Sequence, residues 1–156
     1  MTLPELHKAY LSSSGISTDT RAINEGNIYF ALKGDNFDGN KFAQQAIDSG
    51  ASFAVIDDVR YQTNHTIVVE DVLDTLQKLG SYHRDQLTIP VIGLTGSNGK
   101  TTTKELIAAA LGSKYKVAFT KGNLNNHIGV PLTLLSIKPE HEIAVVEMGA
   151  NHQKEI

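Results

Sequence analysis

The stretch Gly93-Leu-Thr-Gly-Ser-Asn-Gly-Lys-Thr-Thr-Thr-Lys-Glu105 gathers glycines, hydroxyls and lysines where a phosphate could be held. Backbone N–H groups in a tight glycine turn converge on phosphate oxygens, and a helix starting at its end adds a positive dipole terminus. Gly96, Ser97, Asn98 and Gly99 would supply those N–H groups, with Thr102 just beyond. Lys100 would reach the terminal phosphates, and the Thr101 hydroxyl could ligate magnesium. The spacing departs from the usual phosphate-loop pattern, because Leu94 stands where that pattern has its first glycine. An ordinary glycine turn before a lysine is the alternative. The flanking sequence argues against it. Ile89-Pro-Val-Ile92 reads as a strand, while Thr103, Leu106, Ile107, Ala110 and Leu111 fit a helical stripe that Gly112 closes. The chemistry implied is the handling of a nucleoside triphosphate.

Glu147 ends the apolar run Ile143-Ala-Val-Val146. In an open parallel sheet, ligands bind beyond the carboxyl ends of the strands, so an acid there could share a metal ion with Thr101. By position alone, it could equally face solvent. Asn123-Leu-Asn-Asn-His127-Ile-Gly129 follows another strand at the same edge, and its amides and imidazole could bond a phosphoryl group or a substrate carboxylate. Asn125 or Asn126 could instead serve only as turn formers or caps. The remaining histidines (His7, His65, His83, His141 and His152) show no metal-ligand spacing. Nearer the N-terminus, Ser17-Thr-Asp-Thr-Arg21 and Lys33-Gly-Asp-Asn-Phe-Asp-Gly39 are rich in donors and turn formers. Arg21 there could bind a diphosphate through charge-assisted bonds, though two polar surface loops would look the same.

Two blocks of alternating strands and helices would position these residues. The first, residues 1–86, has strands at Ile28–Leu32, Phe53–Ile56 and Thr66–Val69. A helix from about Asn40 turns Phe42, Ala43, Ala46 and Ile47 inward, and another from Asp71 buries Val72, Leu73, Leu76 and Leu79. The second, residues 87–156, has strands at Ile89–Leu94, Lys116–Thr120 and Glu142–Glu147, with the loop's helix after the first. A further helix with Pro131 in its first turn is expected to bury Leu132 and Leu135. The fold class expected is α/β, a small α/β domain followed by the first part of a parallel-sheet ATPase domain. Three strands make only half of a usual nucleotide-binding sheet, so a piece of a longer enzyme is expected.

Composition narrows the partners. A net charge of −3 gives no electrostatic footprint for duplex nucleic acid or an anionic membrane. No run is long and apolar enough to insert into a membrane. There is no cysteine, which excludes disulfides and thiolate metal sites. The first residues have neither a basic region nor an apolar core, so no secretory signal is expected. The expectation is a cytoplasmic α/β protein.

Thr95-Gly-Ser-Asn-Gly-Lys-Thr-Thr102 resembles the ATP-binding loop of the Mur ligase family, which accounts for the displaced glycines. Asp19-Thr-Arg21, Gly26-Asn-Ile-Tyr-Phe-Ala-Leu-Lys-Gly34, Asp38-Gly39 and Phe42 resemble that family's UDP-sugar-binding domain. Asn123 through Leu135 and Glu147-Met-Gly-Ala150 look like the branch that adds D-alanyl-D-alanine to a UDP-N-acetylmuramoyl-tripeptide. The resemblance implies an ATP-dependent amide ligase of peptidoglycan synthesis with ATP and Mg²⁺ as cofactors. UDP-N-acetylmuramoyl-peptide and D-alanyl-D-alanine would be its partners. It further implies that Lys100 steadies the β/γ-phosphates and that Thr101 and Glu147 hold Mg²⁺. His127 would lie near the reacting phosphoryl, with Asn125 and Asn126 beside the substrate. Thr20, Arg21, Asp35, Asn36 and Phe37 match positions that contact UDP. The family's remaining strands, its modified lysine and its C-terminal domain would lie beyond Ile156, so residues 1–156 alone are expected not to complete ligation. Three rivals remain: a non-catalytic UDP-sugar-binding module, a sister ligase adding the third peptide residue, and a generic phosphate-loop kinase or GTPase. The last would need a base-specificity motif of the Asn-Lys-x-Asp kind, which the chain lacks.

Overall fold

The computed structural model describes residues 1–149, a mixed α/β chain that divides into two compact units, one of Met1–Leu79 and one that begins at Gly80. Helix α1 (Leu3–Leu11) opens the first unit, and Glu5 reaches back to the Thr2 N–H and hydroxyl to satisfy its first turn. Strand β1 (Gly15–Ser17) and strand β2 (Asn27–Phe30) follow. A short hairpin comes next, β3 (Lys33–Gly34) with β4 (Phe37–Asp38). A 3₁₀ turn at Gly39–Phe42 runs into α2 (Ala43–Asp48), so the helix expected from Asn40 begins as a tighter coil. Strands β5 (Phe53–Ile56) and β6 (Thr66–Val68) complete a four-stranded parallel sheet ordered β1-β2-β5-β6. The core lies under β2 and β5, where Tyr29, Ala31, Ala54 and Ile56 pack with Ala43, Ala46 and Ala51. Neither α1 nor β1 stood out in the sequence.

Two segments of this unit repeat one device. After β1, Asp19 caps a 3₁₀ turn by accepting from the Arg21 N–H, and its carboxylate also grips the Arg21 guanidinium. After β5, Asp58 does the same with Arg60. An Asp-x-Arg triplet at a strand's carboxyl end thus ends the strand twice in the same conformation, an echo too short to show as a sequence repeat.

Helix α3 (Val72–Gln86) begins in the first unit, capped by Asp71 accepting from the Asp74 N–H, and buries Val72, Leu76 and Leu79. In the second unit, β7 (Val91–Leu94), α4 (Lys100–Gly112), β8 (Val117–Phe119), α5 (Gly129–Leu135) and β9 (Ile143–Glu147) follow in order. The sheet is parallel and ordered β7-β9-β8, so the last strand described lies between the first two. β9 is correspondingly the buried strand, with Ala144, Val145 and Val146 inside, whereas β7 is a half-exposed edge.

Helix α4 departs from the expected stripe. Its inward face carries Lys104 and Ala108, while Leu106 is 66% exposed and Thr103 and Ala110 also face out. The apolar pattern does not mark the face that packs on β8 and β9, because that face is filled by a long lysine and small alanines. Of the two residues expected inside α5, Leu135 is buried. Leu132 is only half-buried and lines a cavity of about 290 Å³ with Phe119, Leu124 and His141.

Candidate functional site

The glycine loop lies between the carboxyl end of β7 and the start of α4, at the sheet edge where ligands of open parallel sheets are held. Two backbone positions require glycine. Gly96 has φ +148° and Gly99 has φ +74°, and Gly99 sits where the helix cap must turn the chain into α4. Residues Thr95–Gly99 and Thr102 are exposed, and Lys100 is half-buried. The Lys100 ammonium folds over the loop and donates to the Gly96 carbonyl at 2.6 Å.

Glu147 reaches the same place from the opposite side. It closes β9, only 1% exposed, and does not face solvent. Its backbone is fixed by two bonds: its N–H donates to Thr120 Oγ1 at 2.8 Å, and the next N–H, of Met148, donates to Leu94 O at 2.8 Å. Its Oε1 accepts from Thr101 Oγ1 at 3.2 Å and from Asn125 Nδ2 at 2.8 Å. Its Oε2 makes no hydrogen bond; the nearest cation is Lys104 Nζ, 3.8 Å away. The structure therefore joins Thr101, Asn125 and Glu147.

The loop after β8 divides its amides between two tasks. Asn125 tethers Glu147 and accepts the Gly149 N–H on its carbonyl, whereas Asn126 Oδ1 accepts from the N–H groups of Ile128 and Gly129 at the entry to α5. Asn126 thus has the capping geometry weighed above. His127 is exposed on this loop. Ala150 and His152 lie outside the described residues.

The donors suit a hard cation. A threonine hydroxyl and a carboxylate offer oxygen only, the chemistry that Mg²⁺ prefers. Among the described residues there is no group of three or more His, Cys, Asp or Glu that could hold a metal alone. An ion here would complete its shell with water and phosphate oxygens, as Mg²⁺ usually does. The observation that fits such an ion is the pair of oxygens Thr101 Oγ1 and Glu147 Oε1, 3.2 Å apart at the foot of the glycine loop.

The first unit holds the other set of candidates. Thr20 and Arg21 follow β1, and Asp35, Asn36 and Phe37 sit in or beside the hairpin that follows β2, so both groups lie beyond the carboxyl ends of adjacent strands. Arg21 is exposed and paired with Asp19 at 2.7 Å, and that guanidinium holds the Asp19 carboxyl down at about 2. Phe37 stacks on Phe42 with ring centroids 5.4 Å apart and remains half exposed. Beneath the hairpin, Asn40 is fully buried and bonds Asp38 and Asp57, and Lys33 pairs with Asp57 at 2.7 Å. Burial works against the Asp57 charge, yet Lys33, Asn40 and the Val72 N–H together hold its carboxyl below the usual range. Asn40, Asp57 and Lys104 were not singled out from the sequence. Lys104 could have been, since it stands three residues after Thr101 and so shares its helix face.

Fold and site together define a parallel α/β protein with a glycine loop between an edge strand and a helix, and an acid closing the neighbouring strand. The chain belongs to the Mur ligase family: residues 12–92 match the model described as "Mur ligase family, catalytic domain", and residues 94–155 match the "Mur ligase middle domain". It is 46% identical over 146 residues to the UDP-N-acetylmuramoyl-tripeptide–D-alanyl-D-alanine ligase of Bacillus subtilis, covering 91% of this chain and 32% of that one. Crystal structure I of MurF from Acinetobacter baumannii superimposes with a TM-score of 0.83 at 37% identity, over 99% of this chain and 37% of that one. MurF ligase from Thermotoga maritima, in complex with ADP, gives 0.78 at 35% identity, over 88% of this chain and 32% of that one. The chain spans about a third of the length of these relatives.

Proposed function

We propose that this chain supplies the UDP-sugar-binding part, residues 1–86, and the first portion of the ATP-binding part, residues 87–156, of an ATP-dependent amide ligase. Its reaction would join D-alanyl-D-alanine to UDP-N-acetylmuramoyl-tripeptide in peptidoglycan synthesis, in the cytoplasm. The observation that carries this reading is the meeting of Thr101 with a buried strand-end Glu147 beside a glycine loop. The names of the matched relatives and the ADP complex of the Thermotoga protein support it.

The reaction this implies has two steps. An oxygen of the tripeptide's terminal carboxylate attacks the γ-phosphorus of ATP, the bond to the β-γ bridging oxygen breaks, and ADP leaves. The free amine of D-alanyl-D-alanine then attacks the acyl phosphate carbon, the carbon–oxygen bond to phosphate breaks, and the amine proton passes to solvent. Phosphoryl transfer asks the protein chiefly for position and charge neutralisation. Lys100, now on the Gly96 carbonyl, would exchange that partner for the β/γ-phosphates, while the N–H groups of residues 96–99 line the phosphate tail. Thr101 and Glu147 would hold Mg²⁺, which when bound neutralises phosphate charge. Asn125 keeps the Glu147 carboxylate turned toward Thr101, and His127 stands on the exposed side of the same loop, where a reacting group could reach it. Arg21, with Thr20 and the 35–37 hairpin, would take the UDP diphosphate and base.

Calorimetry on the intact protein tests the assignment of two separate sites. Lys100→Ala is expected to abolish ATP binding and leave UDP-N-acetylmuramoyl-tripeptide binding within about threefold, well inside the spread of surface substitutions. Unimpaired ATP binding by that variant would contradict the reading.

A further inference from the structure

Lys104 is the least expected residue of α4. It is fully buried, yet its ammonium has no hydrogen-bond partner. It lies 3.0 Å from Glu105 Oε1 without hydrogen-bond geometry, 3.8 Å from Glu147 Oε2, and 5.9 Å above the centroid of the Phe119 ring. Burying a lysine charge is costly unless something nearby answers it. The Glu105 carboxylate is 55% exposed and screened by water, which leaves Glu147, 1% exposed, as the buried counter-charge.

The placement is directional. Thr101 and Lys104 stand at i and i+3, so a single helix face presents a hydroxyl and an ammonium to one carboxylate. The hydroxyl bonds Oε1 and the ammonium lies nearest Oε2. Asn125 also donates to Oε1, so all the carboxylate's hydrogen bonding falls on Oε1 and only Coulomb attraction acts on the buried Oε2. Thr120 clamps only the Glu147 main chain, so the direction of the carboxylate is left to its side-chain partners Thr101, Asn125 and Lys104.

We propose that Lys104 is a positioning residue: its buried ammonium draws Oε2 of Glu147 inward and so presents Oε1, beside Thr101 Oγ1, to a divalent cation. This rests on the nucleotide-and-metal reading above. Groups that orient a metal-binding side chain typically contribute about 10–100-fold to metal affinity.

The test uses the intact protein with ADP and Mn²⁺, bound and free Mn²⁺ being separated by electron paramagnetic resonance. Lys104→Met is expected to weaken Mn²⁺ binding to the ADP complex by about 10–100-fold, while ADP affinity in EDTA stays within about twofold. Glu147→Gln should weaken Mn²⁺ similarly, and the double variant should be no worse than Glu147→Gln alone, because the lysine acts only through that carboxylate. Lys104→Gln replaces the methionine variant should the latter not fold. Mn²⁺ binding as tight as or tighter than wild type, or losses that add in the double variant, would overturn the proposal. So would failure of both neutral variants to fold while the double variant folds, since that assigns the pair to stability alone. Wild-type ADP affinity indifferent to Mn²⁺ would instead sink the nucleotide-and-metal reading itself.

Discussion

Single residues carry the argument wherever one atom has one reason to be where it is. Glu147 is the clearest case. An acid at a strand end faces water unless something turns it inward, and here Thr120, Thr101 and Asn125 all do so. The sequence located the acid but left both orientations open; only long-range partners, 27, 46 and 22 residues away along the chain, decide between them. Asn125 and Asn126 teach the same lesson at closer range, since adjacent asparagines divide into a tether and a cap for reasons that local sequence does not contain. Arg21 yields a prediction at this scale. It is exposed and pairs with Asp19 at the surface, so it contributes little to stability. Because Asp19 titrates at about 2, the pair stays charged throughout the neutral range. Arg21→Ala should therefore leave the melting temperature nearly unchanged while weakening UDP-N-acetylmuramoyl-tripeptide binding about 10–100-fold, the worth of a charge-assisted hydrogen bond or two. Unchanged affinity by calorimetry would remove Arg21 from the substrate site.

Elements were legible where hydrophobic period and punctuation agreed. Strands β2, β5, β6, β8 and β9 fall within a residue or two of the apolar runs that announce them, and Asp71 caps α3 as its position suggests. Helix α4 was found by its start and stop, but its inward face was not. The periodicity of Leu106, Ile107, Ala110 and Leu111 outweighed a lysine that belongs inside. α1 and β1 escaped because a nine-residue helix with a buried histidine and a three-residue strand give weak patterns. Helix α3 carries a pH prediction. His83 is 5% exposed, and its Nε2–H donates to Ile137 O at 3.0 Å. Burial pushes its pKa below the ordinary 6.5, partly offset by that bond. Above 6.5 both folded and unfolded states hold a neutral imidazole, and the stability is fully present. As pH falls below 6.5, the unfolded chain takes up a proton that the native site resists, so stability declines. The melting temperature should therefore drop on acidification below that point, and His83→Gln should drop less. Equal slopes for the two proteins would show that His83 contributes nothing to acid sensitivity.

At the scale of the molecule, the chain places two sets of candidate binding groups in two compact units, each beyond the carboxyl ends of a parallel sheet. Parallel sheets with short loops put polar chemistry at that edge whatever the ligand, so fold class alone names no substrate. The family matches place the chain among the Mur ligases, and the pairing of a glycine loop with Glu147 is what supports the ATP-using reaction proposed above. No helix among the described residues is long and apolar enough to cross a membrane. The central claim is that Thr101 and Glu147 share one divalent ion on the phosphates of a bound nucleotide. Anomalous diffraction from crystals of the intact protein grown with ADP and Mn²⁺ tests it most directly. The account predicts a manganese peak bonded to Thr101 Oγ1 and a phosphate oxygen, with the Glu147 carboxylate on the ion or on one of its waters. A nucleotide in the loop with its manganese held elsewhere, and Glu147 still bonded only to Thr101 and Asn125, would contradict it.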